Sequence, residues 1–564
     1  MQAVKTLLPR WPGASSSPSP ATYQPLHQTE DDDDDDHPHG TASTMASPED
    51  GPDMPARHRD AAALLLIRLG RSPDERIHVS ADDDARILRQ IDLALLPLML
   101  AVYFLQALDK ATLSYASIFG LIEDTHLVGN QFSWLGSIVF LAQLAMQLPI
   151  SFALVKLPIG KFTSAMVLAW GVSLTFMTWA HNFTGLMVAR FFLGAFEASV
   201  GPSFIAVTQM WWRRREQTMR VGSWYCMNGL TWVFGSLITY GLAKIDSDMK
   251  PYQIIFLFFG VITVGVGFLM LYWMPDSPIE AKFLSDNDKV LAIWRLRHNQ
   301  MGVMSREWRS DHFYDALRDV KTWLWFAMMF CISVPSNGLS TFGPLIIKSF
   351  VSDPFHTMLF NVPVGILHVI SVSSSAYLSM RWKFKGPVII ALCAPPLIGL
   401  AILFHFPHDE AHRAVLLTGY FFLSTFTGIT PLIYAWSSQN TAGDTKRKTT
   451  SAIVFIGASA GNVVGPLLFR PDDAPEFTLG IRLNIRFFAA ISLLAIVTMC
   501  YITTLNRRQS ARRLSVGKPT QTVDLSLETA ANAERIERHH TDGRGDKTFL
   551  DRTDRENEDF VYVS

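Results

Sequence analysis

Residues 252–274 read YQIIFLFFGVITVGVGFLMLYWM, a run without a single charged side chain. A helix needs about 20 apolar residues to cross the hydrocarbon core of a bilayer, so this run predicts a transmembrane helix. Further windows of similar length and character lie near 91–112, 132–155, 162–180, 184–210, 221–243, 322–347, 357–380, 386–407, 412–438, 448–469 and 483–505. The sequence therefore predicts an all-α membrane protein with twelve transmembrane helices.

The composition of the chain supports this class. Of its 564 residues, 49% are apolar and only 18% are charged, whereas soluble proteins have about a quarter of their residues charged. The formal net charge of −1 indicates no particular partner beyond the lipid bilayer, and no nucleic-acid partner is predicted. The four cysteines all fall in apolar runs without a metal-binding spacing, so we expect free thiols, no metal and no cofactor.

Polar segments divide the chain into five regions. Residues 1–90, with an acidic run at Asp31–Asp36, and residues 506–564 are predicted to be disordered cytosolic ends. Between them we expect a six-helix bundle at 91–274, a cytosolic loop at 275–321 and a second six-helix bundle at 322–505. Two related halves around a site near the middle of the membrane are typical of secondary transporters.

The loop charges predict the orientation of the chain. Basic residues collect in the loops after even-numbered spans, including Arg213–Arg215, eight Lys and Arg residues between Lys282 and Lys321, and Lys446–Lys448. Most loops after odd-numbered spans are poor in them, although Arg470 and Arg482 after the eleventh span depart from the pattern. Because Lys and Arg concentrate in cytosolic loops, both termini are predicted to face the cytosol.

Four ionisable residues lie at the depth of the membrane, where a charge is costly and is usually functional. Asp109 and Lys110 fall in the first span, and Arg190 and Glu197 fall in the fourth. Arg190 and Glu197 share a helix face but are separated by roughly 10 Å of helix rise, too far for a direct ion pair. We therefore expect each to meet partners on other helices or a ligand, and Gly194 between them to admit a neighbouring helix or a substrate.

Two cations and two carboxylates around one cavity suit an anionic substrate together with a group that binds a proton. A cationic side chain binds a carboxylate, and a carboxylate removed from water takes up a proton more readily. The alternative is a structural network that locks the first and fourth spans together. Asn337 is a further candidate for substrate binding, because Pro335–Gly338 is predicted to interrupt the seventh span. Other polar residues within spans are candidates for lining the cavity: Gln143, Gln147, Asn228, His368, Gln439 and Asn440.

Several motifs in a fixed order resemble the major facilitator superfamily, and within it the fungal anion:cation symporter branch of the allantoate permease type. They lie across about 90–505 and are Ile91-Asp-Leu-Ala-Leu-Leu-Pro, Leu108-Asp-Lys, Arg190-Phe-Phe-Leu-Gly-Ala-Phe-Glu197, Met274-Pro-Asp-Ser-Pro278, Thr341-Phe-Gly-Pro-Leu-Ile-Ile-Lys-Ser349, Gln439-Asn-Thr-Ala-Gly443 and Gly461-Asn-Val-Val-Gly-Pro466.

The resemblance implies an alternating-access symporter that moves a small organic anion or vitamin-like metabolite with protons. It implies that Lys110 and Arg190 hold the substrate carboxylate and that Glu197, with Asp109 as a second candidate, couples the proton. We expect a monomer in the plasma membrane, with the vacuolar membrane as the alternative. The loop motif that the superfamily carries after its second helix is reduced here to Lys156 and Gly160-Lys161.

Other functions remain as alternatives. An ATP-driven pump is excluded because Gly160-Lys161-Phe162 lacks the Ser/Thr and the preceding glycine of a phosphate-binding loop. The fifth span lacks the Gly-Pro-x-x-Gly-Gly pattern that resembles drug:proton exchangers, which weighs against that function. The spacing of His405, His408 and His412 resembles one box of a membrane di-iron enzyme, but a lone cluster in a predicted outer loop does not suit that chemistry. We therefore predict no catalytic residues, and keep an exporter of a secondary metabolite and a non-transporting nutrient sensor as alternatives to uptake.

Overall fold

The part of the chain that the computed structural model describes is helical, with no strand in residues 79–118, 120–129, 131–299, 301, 307–348, 361–407, 412–468, 478–518, 524–528, 532, 535–536 and 551–564. The α-helices of the first half are α1 Ala81–Ile118, α2 Gln131–Lys156, α3 Ile159–Phe176, α4 Phe183–Glu197, α5 Val200–Trp211, α6 Arg214–Tyr225, α7 Met227–Ala243 and α8 Pro251–Trp273. Two helices follow between the halves, α9 Asp286–Trp294 and α10 Ser310–Arg318.

The second half contains α11 Val320–Lys348, α12 Asn361–Trp382, α13 Gly386–His405, α14 Arg413–Leu423, α15 Ile429–Gln439, α16 Asp444–Leu467 and α17 Thr478–Ser515. Short helical turns lie at Leu121–Asp124, Met177–Trp179, Pro278–Glu280, Arg297–Asn299, Ser424–Gly428 and Leu525–Leu527.

Within the described residues, each predicted span falls on one of these helices or on two consecutive ones. Nine helical segments of the described chain are long and apolar enough to cross a membrane. The predicted fifth, seventh and eleventh spans fall on α6–α7, α11 and α16, which are helical but are not among those nine. The count of twelve and the cytosolic position of the termini therefore stay predictions.

The long helices pack in pairs within each half, and two further pairs join the halves. In the first half α3 packs on α8 and α2 on α4; in the second, α11 packs on α16 and α13 packs on α14 and α17. Across the boundary α2 contacts α16, and α7 contacts α12. A Cβ added to Gly365 would lie 2.5 Å from the carbonyl oxygen of Gly229, so α7 and α12 touch through their backbones.

The predicted fourth span is divided into α4 and α5 directly after Glu197. Pro202 has no N–H to donate to the carbonyl of Ala198, one turn earlier, which leaves that oxygen without its usual helical partner. The side chain of Gln147 on α2 donates to this oxygen at 3.4 Å. A freed backbone group inside the membrane is thus satisfied by a neighbouring helix.

The expected interruption of the seventh span at Pro335–Gly338 is wrong, because α11 runs without a break through it. Three glycines of α16, spaced four residues apart, pack against its backbone. A Cβ on Gly457, Gly461 or Gly465 would lie 2.4–2.7 Å from the carbonyl oxygens of Phe326, Phe330 and Val334. This close helix contact holds α11 in place through the proline-containing stretch.

We expect Gly461→Leu to destabilise the protein, because the new side chain would collide with the backbone of α11 where nothing can move aside. Overpacking typically costs about 1–3 kcal/mol, and a backbone clash costs more than a displaced side chain. The melting temperature of the purified protein in detergent should fall clearly. Gly265→Leu is the matched control, because no atom lies within 4 Å of a Cβ at Gly265. Equal melting temperatures for the two variants would contradict the close contact.

One face of the molecule carries the start of α1, the end of α17 and the C-terminal segment Asp551–Ser564; we call it the terminal face. Near the start of α1, Asp84 pairs with Arg295 at 2.8 Å and with Arg213 at 3.2 Å. The reduced loop motif lies on the same face, where Asp276 accepts a hydrogen bond from the backbone N–H of Lys161 at 2.9 Å.

Parts of the two ends that we predicted to be disordered lie among the described residues and are packed against the rest of the chain. Helix α1 begins at Ala81, ahead of the predicted boundary at 90, and two ion pairs hold it to the central loop, Asp84–Arg295 at 2.8 Å and Arg86–Asp288 at 2.8 Å. The C-terminal segment packs with Phe560, Tyr562 and Val563 buried. The acidic run at Asp31–Asp36 lies outside the described residues.

Candidate functional site

Helices α1 and α4 bring the four membrane-depth charges together. The Nζ of Lys110 lies 3.1 Å from Oε1 of Glu197, so the expected partner of Glu197 on another helix is present. The Glu197 side chain is fully buried, whereas the Lys110 side chain is 42% exposed. The Lys110 side chain is therefore partly accessible, whereas its partner is enclosed.

Arg190 is buried and is anchored to a third helix. Its Nε donates to the carbonyl oxygen of Leu135 on α2 at 2.7 Å. A backbone carbonyl carries no formal charge, so this bond orients the guanidinium group without neutralising it. Arg190 also interacts electrostatically with Glu197 and Asp109.

Asp109 is the most isolated of the four charges. It is 1% exposed, and neither carboxylate oxygen has a well-formed hydrogen bond among the described residues. Its neighbours are the indole of Trp170 and the charges of Glu197, Arg190 and Lys110. A buried carboxylate with so little compensation is costly in its ionised form.

The role of Gly194 is decided by its neighbour on α2. A Cβ at this position would lie 2.6 Å from the carbonyl oxygen of Val139. Of the two expectations for this glycine, the approach of a helix is the one observed. The close contact between α2 and α4 brings the Leu135 carbonyl within reach of Arg190.

The remaining candidates of the first half are distributed around this cluster. Gln143 is buried on α2, one turn before Gln147, whose side chain is engaged with Ala198. Asn228 donates to the carbonyl oxygen of Tyr225 at 3.1 Å. That these side chains line the substrate cavity stays a prediction.

The candidate residues of the second half lie on several helices. The amide of Asn337 donates to the carbonyl oxygen of Asn462 at 2.7 Å, which joins α11 to α16. His368 is buried between the rings of Trp232 and Phe426. Gln439 and Asn440 are at the terminal face, where Asn440 bonds with the backbone of Val563.

Aromatic residues that we did not predict pack against α1 and within the second half. The ring of Tyr103, on α1, lies 4.6 Å from that of Trp224 and 5.8 Å from that of Tyr225. In the second half, Tyr434 stacks on Phe455 at 4.6 Å. The adjacent pair Trp224-Tyr225 is visible in the sequence, but only the packing of helices shows that it faces α1.

The halves are closed against each other at the terminal face. Gln209 on α5 donates to the carbonyl oxygen of Ser438 at 2.7 Å. Gln439 donates to the carbonyl oxygen of Arg214 at 2.6 Å and to the hydroxyl of Thr218 at 3.1 Å. These bonds span the boundary between the halves, and we call this set of bonds the gate.

One group of described residues has the composition of a metal site. Ligand atoms of Asp311, His312 and Glu556 lie within 4.8 Å of one another. Arg309 already pairs with Asp311 at 2.5 Å, which places a positive charge where a cation would bind. We assign no metal to this group. Of the proposed histidine cluster, His408 lies outside the described residues.

The sequence and the fold of the chain are both similar to those of known proteins. The sequence profile of the Major Facilitator Superfamily matches residues 99–466. The chain is 32% identical to an uncharacterized transporter of Schizosaccharomyces pombe, over 86% of this chain and 90% of the relative. It is 28% identical to the allantoate permease of Saccharomyces cerevisiae, over 82% and 87% of the two chains. The fold is similar to that of the E. coli fucose:proton symporter, with a TM-score of 0.53, 16% identity and coverage of 72% and 98%.

Proposed function

The chain belongs to the major facilitator superfamily, whose members are multi-pass membrane transporters, and we propose that it is a proton-coupled symporter of a small organic anion. The prediction of a transporter rather than an enzyme is confirmed. Symport and the class of substrate are the proposal, and they rest on the charges carried by α1 and α4.

The contact between Lys110 and Glu197 is the observation that supports coupling most directly. A buried carboxylate holds the ammonium group at 3.1 Å while the Lys110 side chain remains partly exposed. When Glu197 binds a proton it loses its charge, and the electrostatic attraction that holds Lys110 is lost. Lys110 is then free to bind the carboxylate of a substrate, so proton and anion load together.

Arg190 supplies the second cation for the same anion. The Leu135 carbonyl orients its guanidinium group, and a planar guanidinium forms two parallel hydrogen bonds with a carboxylate. Asp109, buried beside Glu197 and Arg190, is a second site for a proton. Asn337 lies on α11 and bonds with Asn462 on α16, and its role in substrate binding stays a prediction.

Movement between two orientations follows from the boundary between the halves. With the gate formed by Gln209 and Gln439 closed, the substrate is released or bound only on the side opposite the terminal face. We place the terminal face in the cytosol, because its loops carry most of the Lys and Arg residues. We propose that the protein is a monomer in the plasma membrane and that it carries its substrate into the cell.

The cargo proposed here is a carboxylate of modest size. The name of the allantoate permease records such a substrate for that relative. Tyr103, which interacts electrostatically with Glu197, packs against Trp224 and Tyr225, and these rings favour an anion that also offers a flat or apolar portion. Allantoate, nicotinate and pantothenate are therefore the first substrates to test.

Uptake of radiolabelled substrates in cells that express the chain tests this function. We expect uptake of at least one organic acid to rise as the external pH is lowered from 7.5 to 5, in a panel of about twenty organic acids, vitamins and ureides. A protonophore should remove the accumulation, and cells with the empty vector provide the baseline. Export without uptake would favour the exporter alternative. No movement of any compound in either direction would favour a nutrient sensor.

A further inference from the structure

The C-terminal segment Asp551–Ser564 lies across the boundary between the two halves at the terminal face. On the first half, Arg214 donates to the carbonyl oxygen of Val561 at 2.9 Å, and its guanidinium lies 4.3 Å from the centre of the Phe560 ring. On the second half, Trp436 and Asn440 both donate to the carbonyl oxygen of Val563. The segment therefore contacts both halves at once.

These contacts involve the residues that close the gate. Gln439 bonds with the carbonyl oxygen of Arg214, the residue that also holds Val561 and Phe560. Asn440 follows Gln439 directly, and its amide oxygen accepts the N–H of Val563 at 2.7 Å. If the halves moved apart on this face, the segment would lose one set of contacts or the other.

A buried charge cluster holds the other end of the segment. Asp554 is fully buried, lies 2.8 Å from Nζ of Lys446 and forms an ion pair with Lys321. Burial raises the pKa of the Asp554 carboxyl, but the two ammonium groups outweigh it and hold the pKa well below its usual value. The cluster contains three cations and three anions: Lys321, Lys446, Arg555, Asp315, Asp319 and Asp554.

This cluster remains neutral when the segment leaves. The segment contributes one cation and one anion, Arg555 and Asp554, and the remaining two lysines keep two aspartates. Removing a single partner of a buried ion pair leaves an uncompensated charge and is strongly destabilising, whereas the departure of one cation together with one anion leaves the net charge of the cluster unchanged. The net charge of the cluster is therefore the same with the segment bound and with it released.

We propose that Asp551–Ser564 is a latch: a binding surface formed by both halves holds the chain's own C-terminal segment and keeps the terminal face closed until the segment is released. The proposal rests on the proposed function only in assuming that the halves alternate. Because the segment is tethered, its binding is intramolecular, which allows modest contacts to hold it in place.

Accessibility of a single cysteine in the gate tests the latch without any substrate. Ala206 lines a small cavity between the halves together with Asp444 and Lys448, so Ala206→Cys reports opening there. The four native cysteines are replaced by alanine, and the protein is labelled with a hydrophilic maleimide in lipid nanodiscs. Deletion of residues 551–564 is expected to speed labelling by about fivefold or more, the lower end of typical allosteric coupling.

Adding back a synthetic peptide of residues 551–564 should restore slow labelling, and a scrambled peptide should not. Point variants decide the matter if the deletion misfolds. Asp554→Asn in the full chain should also speed labelling, whereas Glu556→Gln, on an exposed side chain of the same segment, should not. Unchanged labelling in a monodisperse deletion variant would overturn the latch, as would equal rates for the two point variants. A latch that behaves as expected in a protein that moves no organic anion would leave the latch standing and remove the proposed substrate class.

Discussion

Glu197→Gln is expected to abolish accumulation of the substrate against its gradient while leaving exchange of substrate across the membrane. The amide is nearly the same size as the carboxyl group but neither gains nor loses a proton at physiological pH. Without a negative charge at Oε1, Lys110 is no longer held by the ion pair of 3.1 Å and stays available to the anion. The ratio of internal to external substrate should fall to the equilibrium value.

Transport in vesicles with an imposed pH gradient measures this effect. Counterflow of labelled against unlabelled substrate should persist, which shows that the variant is folded and still binds. Glu123→Gln is the matched control, because this acid is exposed in the turn Leu121–Asp124, away from the cluster, and should leave accumulation unchanged. A Glu197→Gln protein that concentrates substrate as the wild type does would remove Glu197 from proton coupling.

Arg190→Lys is expected to weaken substrate binding by about tenfold or more, since a hydrogen bond to a charged group contributes about 1.5–3 kcal/mol. The ammonium group of lysine is a point charge and cannot form the two parallel bonds of a guanidinium with a carboxylate. The substitution also removes the Nε that donates to the Leu135 carbonyl at 2.7 Å. The new side chain therefore loses its anchor on α2 as well as its planar fork.

The dissociation constant of the purified protein for the anion found in the uptake panel tests this expectation. Arg381→Lys, at the exposed end of α12, controls for the general effect of replacing arginine by lysine. A melting temperature close to that of the wild type would show that lost binding does not reflect lost folding. If Arg190→Lys binds the anion with normal affinity, Arg190 lies outside the binding site and its role is to join α4 to α2.

The four charged residues of the first and fourth spans could be identified from the sequence alone. The sequence identified Asp109, Lys110, Arg190 and Glu197 because ionised groups in a membrane are rare and costly. It also indicated that Arg190 and Glu197 are too far apart to pair with each other, and their observed partners are Leu135 and Lys110. Helix spacing along one chain determines which residues share a face, but not which helix lies opposite.

Polar uncharged residues were harder to interpret. Gln147 satisfies the carbonyl that Pro202 leaves free, and Asn337 joins α11 to α16. An amide side chain suits either a backbone carbonyl or a substrate equally well, so its presence in an apolar span does not distinguish the two. The proline at 335 predicted a break that is absent, since α11 continues through it with three glycines of α16 packed against its backbone.

The sequence by itself determined the class of protein, the positions of its helices and the four charges, because each of these depends on local composition and on the cost of placing polar groups in lipid. The tertiary structure alone decided that Lys110 pairs with Glu197, that Gln439 closes the boundary between the halves, and that Asp551–Ser564 binds across it. From the sequence alone, Asp551–Ser564 was predicted to belong to a disordered polar tail. Its residue Asp554 lies more than a hundred positions from Lys446 and about 230 from Lys321. Such pairings depend on distances in space that no local pattern of residues encodes.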